Sequence, residues 1–302
     1  MTVRPGRVLT TPFVARPRGA QRFLTAVRLR GRTERPKLRY EHINLAGLPD
    51  DEFAERFALM GDVIRDATID SGDNEWATAD WEARRARTRR GTNAYMVWDG
   101  SVLAGFLLYS TFPFAGRICV HMKTGYVRSA YQSGGIGFSL SVRMAYRAFL
   151  RRPTGEFLLL SDMLNPIVVS GWVARFPSAT KMLPGEFGQP SAELAELGVK
   201  AAAQLYPWAD YEPEHCVLRG KTMPRSDVIE LSGNQVVDDY FTANLDPTNG
   251  DTILYLAEFD HPTVLRGLVE LVRFTARGLD RRLGMPHHGR RSAAGSAAAR
   301  AS

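Results

Sequence analysis

The stretch Gln132-Ser133-Gly134-Gly135-Ile136-Gly137 lies where a strand-like run stops and a helix-like run starts. Its reading decides the fold. Upstream, residues 117–127 (RICVHMKTGYV) are rich in β-branched and aromatic residues with partial alternation, the pattern of a half-buried strand. Downstream, Phe138, Leu140, Val142, Met144, Ala145, Ala148 and Phe149 recur at helical spacing, leaving Ser141, Arg143, Arg147 and Arg151 mostly on the other side. A helix start presents N–H groups without internal partners, and the aligned peptide dipoles place about half a positive charge there, so the site favours an anion. Glycines at 134, 135 and 137 let the backbone approach a bulky phosphate or adopt positive φ. Three glycines in four positions also suit a plain strand-to-helix connection.

The surrounding pattern extends over residues 40–177. Residues 40–45 read as a short strand. Residues 49–69 read as an amphipathic helix with Phe53, Phe57, Met60, Val63 and Ile64 inward, and 78–90 as a second, highly charged helix. Strands at 94–98 and 102–111 flank Asp99-Gly100, a pair suited to a tight hairpin turn, and 113–116 makes the next turn. Residues 157–161 form a continuous apolar run, as expected of a strand covered on both faces, and 166–174 a short helix with proline near its start.

Gln-x-x-Gly-x-Gly after a strand and before a helix resembles the central signature of the GCN5-related N-acetyltransferase (GNAT) superfamily, and the order of elements over 40–177 is that family's order. It is neither a Gly-Lys-Ser/Thr loop nor a Gly-x-Gly-x-x-Gly fingerprint. The resemblance implies an α/β (α+β) fold with a mixed, mostly antiparallel twisted sheet flanked by helices. It implies acetyl-CoA or another acyl-CoA as donor, its pyrophosphate held by the loop from Gln132 through Ser133, Gly134, Gly135 and Ile136 to Gly137. It also places Tyr126, Val127 and Arg128 where family members splay two strands so that backbone groups pair with the pantetheine arm.

Histone-acetylating members carry a glutamate base eleven positions before the motif; here that position is His121, whose ordinary pKa near 6.5 suits proton uptake. A strand histidine beside Lys123 without a catalytic role is the plainer alternative. Within the family's Asn-x-x-Ala-x-x-Leu-Tyr segment, Asn165 matches, but Val168, Gly171 and Trp172 replace the rest. An indole N–H cannot be given up, so Trp172 cannot protonate a departing thiolate. Tyr126, Tyr131 and Asp162 stand as substitutes near the cleft. The functional expectation is an acyl-CoA-dependent N-acyltransferase acting on an amine of a small molecule or a protein. The alternative is a non-catalytic module that binds coenzyme A or a partner.

The net charge of +7 over 302 residues is unevenly spread. Residues 1–39 hold eleven Lys or Arg against Glu34 alone and residues 281–302 hold five Arg and no acid, so residues 40–280 carry −8. The expected organisation is a basic mobile arm at 1–39, an acetyltransferase-like core at 40–177, an extension at 178–283 and a disordered tail at 284–302. The acidic core would favour a cationic acceptor by long-range attraction. Basic ends without clustered aromatics or a recognition fold argue against nucleic acid. No apolar run reaches the roughly 18 residues of a membrane helix. Cys119 and Cys216 fit buried reduced thiols of a cytoplasmic protein, and no metal-ligand spacing is present. In the extension, 191–206 reads as a helix, 252–259 as a strand, and 262–283 as a long helix with Val264, Leu265, Leu268, Leu271, Val272 and Phe274 on its apolar face. An acceptor-site lid, a homodimer surface or additional core are the roles open to it.

Overall fold

The computed structural model describes residues 13–14, 38–67, 81–132, 135–151, 156–173, 181–188, 190–222 and 229–260, together with 262, 265, 269 and 272. In chain order its elements are β1 (Phe13–Val14), β2 (Leu38–Asn44), α1 (Asp50–Ala67), α2 (Trp81–Arg89), β3 (Asn93–Asp99), β4 (Val102–Phe114), β5 (Arg117–Val127) and α3 (Ile136–Arg151). There follow β6 (Phe157–Met163), α4 (Pro166–Val173), β7 (Met182–Leu183), α5 (Ala192–Leu205), β8 (Asp210–Glu212), β9 (Val217–Arg219), β10 (Ile229–Glu230), α6 (Gln235–Asn244) and β11 (Thr252–Phe259).

The main sheet has nine strands in the order β2-β3-β4-β5-β6-β11-β9-β8, with β7 also paired to β11. All its pairings are antiparallel except β5 with β6, which run parallel because α3 forms the crossover between them. This is a mixed, mostly antiparallel sheet flanked by helices. Residues 252–259, far along the extension, lie next to β6 in the same sheet. Within the basic arm, Phe13 and Val14 pair in parallel with Ile229 and Glu230; the rest of residues 1–37 and residues 273–302 lie outside the described residues, as do 78–80 of the second expected helix.

Hydrophobic pattern explains the layering. The strand sequence FLLLSDM of β6 is buried on both faces because its odd and even positions serve different cores. Phe157 and Leu159 join Ile136, Leu140 and Met144 of α3, Val169 and Trp172 of α4, and Val237 and Phe241 of α6 on one face. Leu158 and Leu160 join Cys119, Leu194, Leu197 and Ala201 on the other. That second face carries a further, separate cluster, in which Phe53, Phe57, Met60, Val63 and Ile64 of α1 pack on Ala94, Met96, Phe106 and Leu108. The apolar spacing of α1 therefore works as expected, and Asp50, Asp51 and Glu52 in its first turn complement the helix dipole.

The structure departs from the sequence reading at several points. Pro113 and Phe114 belong to β4, so the turn is confined to Ala115-Gly116, with φ of +50° and +77°. The stretch 207–249, which shows no clear periodicity, holds β8, β9, β10 and the ten-residue α6. Leu265 and Val272, read as part of one apolar face, are helical and exposed, as is Val269. Among the described residues no helix is long and apolar enough to cross a membrane, and no group of His, Cys, Asp and Glu could hold a metal ion.

Candidate active site

The site begins with a parting of two strands. Parallel pairing of β5 with β6 runs from Ile118↔Phe157 to Met122↔Ser161 and stops, while β5 continues to Val127. Beyond Met122, β5 is paired along one edge only, with β4. The last shared rung is closed by the Ser161 hydroxyl, which donates to the Met122 carbonyl at 3.1 Å. At the same level β5 bulges: Met122 pairs with Tyr109 and Thr124 with Leu108, so Lys123 is the extra residue without a cross-strand partner. Bulges re-aim side chains and end pairing, both of which occur here.

The chain from β5 to α3 is held by several bonds. Arg128 N–H donates to the Ala104 carbonyl (2.9 Å), and its guanidinium donates to the Leu103 carbonyl (2.8 Å). Ser129 donates from its backbone N–H (2.7 Å) and its hydroxyl (3.0 Å) to Asp66 at the end of α1. Gln132 is exposed, and its amide donates to the Val127 carbonyl at 3.1 Å. Ser133 and Gly134 lie outside the described residues. Gly135 has φ of +78°, which a side chain would strain, and Ile136 opens α3 as a buried anchor. Gly137, in the first turn, is exposed, and a Cβ there would meet nothing within 4 Å. The glycine at 137 is therefore not demanded by packing inside the protein. The start of this 16-residue helix favours an anion, and it follows a strand whose pairing with β6 has already ended.

The other residues singled out in the sequence have the following surroundings. Tyr126 is half-buried, its ring 6.2 Å from Phe106, and Val127 pairs with Gly105. Asn165 caps α4: its side-chain oxygen accepts from Ile167 N–H at 2.9 Å. Trp172 faces the core, 6.3 Å from the Tyr255 ring and 6.1 Å from Phe259. Tyr131 is buried and donates to Asp99 at 2.7 Å.

A cluster of titratable groups gathers where β5 and β6 part. His121 and Asp162 project from neighbouring strands on the same face as Leu158 and Leu160. His121 Nε2 is 2.9 Å from the hydroxyl of Tyr206, the residue that ends α5, and Tyr206 donates to Asp162 Oδ1 at 2.8 Å. Lys221, just past β9, forms an ion pair with the other oxygen of Asp162, and both side chains are mostly buried. Burial would raise the Asp162 pKa, yet the Lys221 ammonium, His121 and the Tyr206 hydrogen bond together hold it below the usual carboxylate value. Asp162 is thus ionised and only accepts, so the phenol proton points to it. His121 must then donate from Nε2 to the Tyr206 oxygen, which leaves Nδ1 as the unprotonated nitrogen. Burial, together with the charges of Lys123 and Lys221, lowers His121 to about 4 against the opposing pull of Asp162. Tyr206 is pushed well above the ordinary phenol value by burial and by the Asp162 charge.

His121 and Asp162 were accessible to sequence reasoning through spacing and position near the cleft. Tyr206 and Lys221 were not, because they arrive from 85 and 59 residues away and carry no local signal. Burial raises the thiols Cys119 and Cys216 to about 12 and about 11, which leaves both unreactive.

No protein-family model matches the chain, and no curated protein matches it. Solved structures do. An aminoglycoside acetyltransferase from an uncultured soil metagenomic sample, in complex with trehalose, is 12% identical with a TM-score of 0.36, over 47% of this chain and 89% of that one. An acetyltransferase assigned to the GNAT family from Desulfovibrio desulfuricans is 16% identical with a TM-score of 0.34, over 48% and 88%. A ribosomal-protein-alanine N-acetyltransferase from Brucella melitensis biovar Abortus is 14% identical with a TM-score of 0.30, over 41% and 80%. These three solved structures, to which this chain is similar over less than half its length, are acetyltransferases by name, and one of them is assigned to the GNAT family.

Proposed function

We propose that this protein is an N-acyltransferase that moves an acyl group, acetyl in the first instance, from a coenzyme A thioester to an amine. The observation that carries this reading is the early end of the β5–β6 pairing, which leaves one edge of Lys123 to Val127 open directly ahead of the glycine-bearing start of α3. An extended pantetheine arm would pair with that edge, and a pyrophosphate would meet the amides between Gln132 and Gly137. The thioester supplies an activated carbonyl and a thiolate leaving group.

The protein supplies position and a proton acceptor. His121 is on β5 two residues before the bulge, and its Nδ1 is unprotonated at neutral pH. A base of pKa about 4 does little to a free ammonium. Once the amine nitrogen has bonded to the carbonyl carbon, however, its proton becomes strongly acidic, and such a base suffices. Tyr206 and Asp162 orient the imidazole, and the raised phenol pKa makes Tyr206 a poor acid for the departing sulfur.

Two measurements test this. Calorimetry with acetyl-CoA should give micromolar affinity, weakened at least about tenfold in Gly137→Trp, because the indole would fill the space before the helix start without disturbing the fold. Undetectable binding to the wild-type protein overturns the proposal. In a thiol-release assay with amine acceptors, His121→Gln should lower kcat by about 100-fold with little change in the KM for acetyl-CoA. An unchanged kcat removes His121 from the mechanism. The same assay should show no inflection between pH 6 and 8 that disappears in the variant.

A further inference from the structure

The helix-bearing face that holds His121 is divided into two hydrophobic clusters, one under α1 and one under α5. The side chains at the seam between them are polar: His121, Lys123 and, at the sheet margin, Asp162. Lys123 is the unusual member. As the bulge residue it reaches across β4 to Thr92, whose hydroxyl accepts from its ammonium at 2.8 Å. Thr92 is fully buried, and its own hydroxyl donates to the Arg90 carbonyl at 3.0 Å. The ammonium thus meets a neutral acceptor in place of a carboxylate. Burial lowers its pKa, and no carboxylate among the described residues acts to raise it. Asp162, whose charge acts on His121 in the same cluster, is already paired with Lys221. The described part of the seam therefore carries one uncompensated positive charge, close enough to His121 to depress its pKa.

A half-buried cation that meets no carboxylate among the described residues is costly, and an incoming anion would offset that cost. We infer that the acceptor is an amine that also bears a carboxylate, with Lys123 holding that carboxylate and so presenting the amine to the thioester beside His121. This inference rests on the transferase reading above. It also opposes the sequence-level expectation of a cationic acceptor: the −8 of residues 40–280 is a sum over the whole chain segment, whereas acceptor choice follows the charge at the seam. Trp208, two-thirds exposed with its ring 6.0 Å from Tyr206 and its N–H donating to the Lys221 carbonyl, supplies an apolar wall at the margin of the cluster.

The test compares matched acceptors in the thiol-release assay: glycine with glycinamide, β-alanine with β-alaninamide, and L-lysine with L-lysinamide, alongside spermidine. In the wild-type protein kcat/KM should favour the acids over the amides by about tenfold or more at equal concentrations of free amine. Lys123→Met should bring the ratio to within about twofold, and Lys123→Arg should restore part of the preference. Lys123→Met should melt no lower than wild type, since it removes a half-buried charge that burial disfavours. Preference for amides or spermidine, or an acid preference that survives Lys123→Met, overturns the inference while leaving the transferase reading intact. Binding of acetyl-CoA without thiol release for any of these amines overturns the inference and the transfer step together, and absence of acetyl-CoA binding overturns the reading beneath both.

Discussion

Asp162→Ala should lower folding stability by about 3–5 kcal/mol, the largest single-residue effect expected in this protein. The carboxylate sits at the end of β6 with most of its surface covered, accepting from Tyr206 at 2.8 Å and paired with Lys221. Removing it strands the Lys221 ammonium, itself only 15% exposed, and leaves the Tyr206 hydroxyl without its acceptor. The cost is that of a buried charge left alone, since the ion pair by itself adds little over an apolar pair of the same shape. The double variant Asp162→Ala/Lys221→Met should therefore recover most of the loss, to within about 1–2 kcal/mol of wild type. Urea unfolding monitored by circular dichroism at pH 7.5 measures both quantities. A loss below about 1 kcal/mol, or a double variant no better than the single, would show that the cluster is hydrated and not a buried ion pair.

The second large effect is in the pH dependence of stability. His121 has a folded pKa of about 4 against an ordinary value of 6.5. As the pH falls through 6.5 the unfolded chain takes up a proton that the folded protein accepts only near 4. Stability that is fully present above 6.5 is therefore lost as the pH drops through this window. The loss amounts to about 2–3 kcal/mol between pH 7.5 and pH 4.5. His42 adds in the same direction: burial first, then the charges of Arg147 and Arg151, lowers its pKa to about 4, and its Nε2 lies 2.8 Å from the Tyr109 hydroxyl. His121→Gln isolates one contribution while retaining a side-chain N–H that can face Tyr206. The stability difference between wild type and His121→Gln should shrink by about 2–3 kcal/mol from pH 7.5 to pH 4.5, and parallel curves for the two proteins would refute the buried, neutral state of His121.

Much of the fold was legible because its signals are local. The helical spacing of Phe53, Phe57, Met60 and Ile64, the Asp99-Gly100 turn and the apolar run of β6 each depend on residues within a few positions of one another. The extension was harder for a reason visible in β8, β9 and β10. These strands are two or three residues long, too short to show a period, and they form by pairing with distant partners: β9 with β11, β8 with β9 and β10 with β1. The site divides the same way. His121 was reachable by counting back from Gln132, whereas Tyr206 and Lys221 join it only because α5 packs on the face of β6 and β9 docks against β11, the neighbour of β6. Asn165 matched the pattern and Trp172 replaced its tyrosine; in the fold Asn165 caps a helix and Trp172 packs in the core.

By itself, then, the sequence determined the strand, glycine turn and helix around residues 117–151, because backbone freedom at glycine and the periodicity of apolar side chains are properties of neighbouring residues. Only the tertiary structure decided the chemistry of the cleft. The β5–β6 pairing ends at Met122, Asp162 is neutralised by Lys221, and Lys123 meets a hydroxyl in place of an acid. Protonation state and charge balance depend on what burial removes from water and which distant groups arrive beside it, and both are products of the fold.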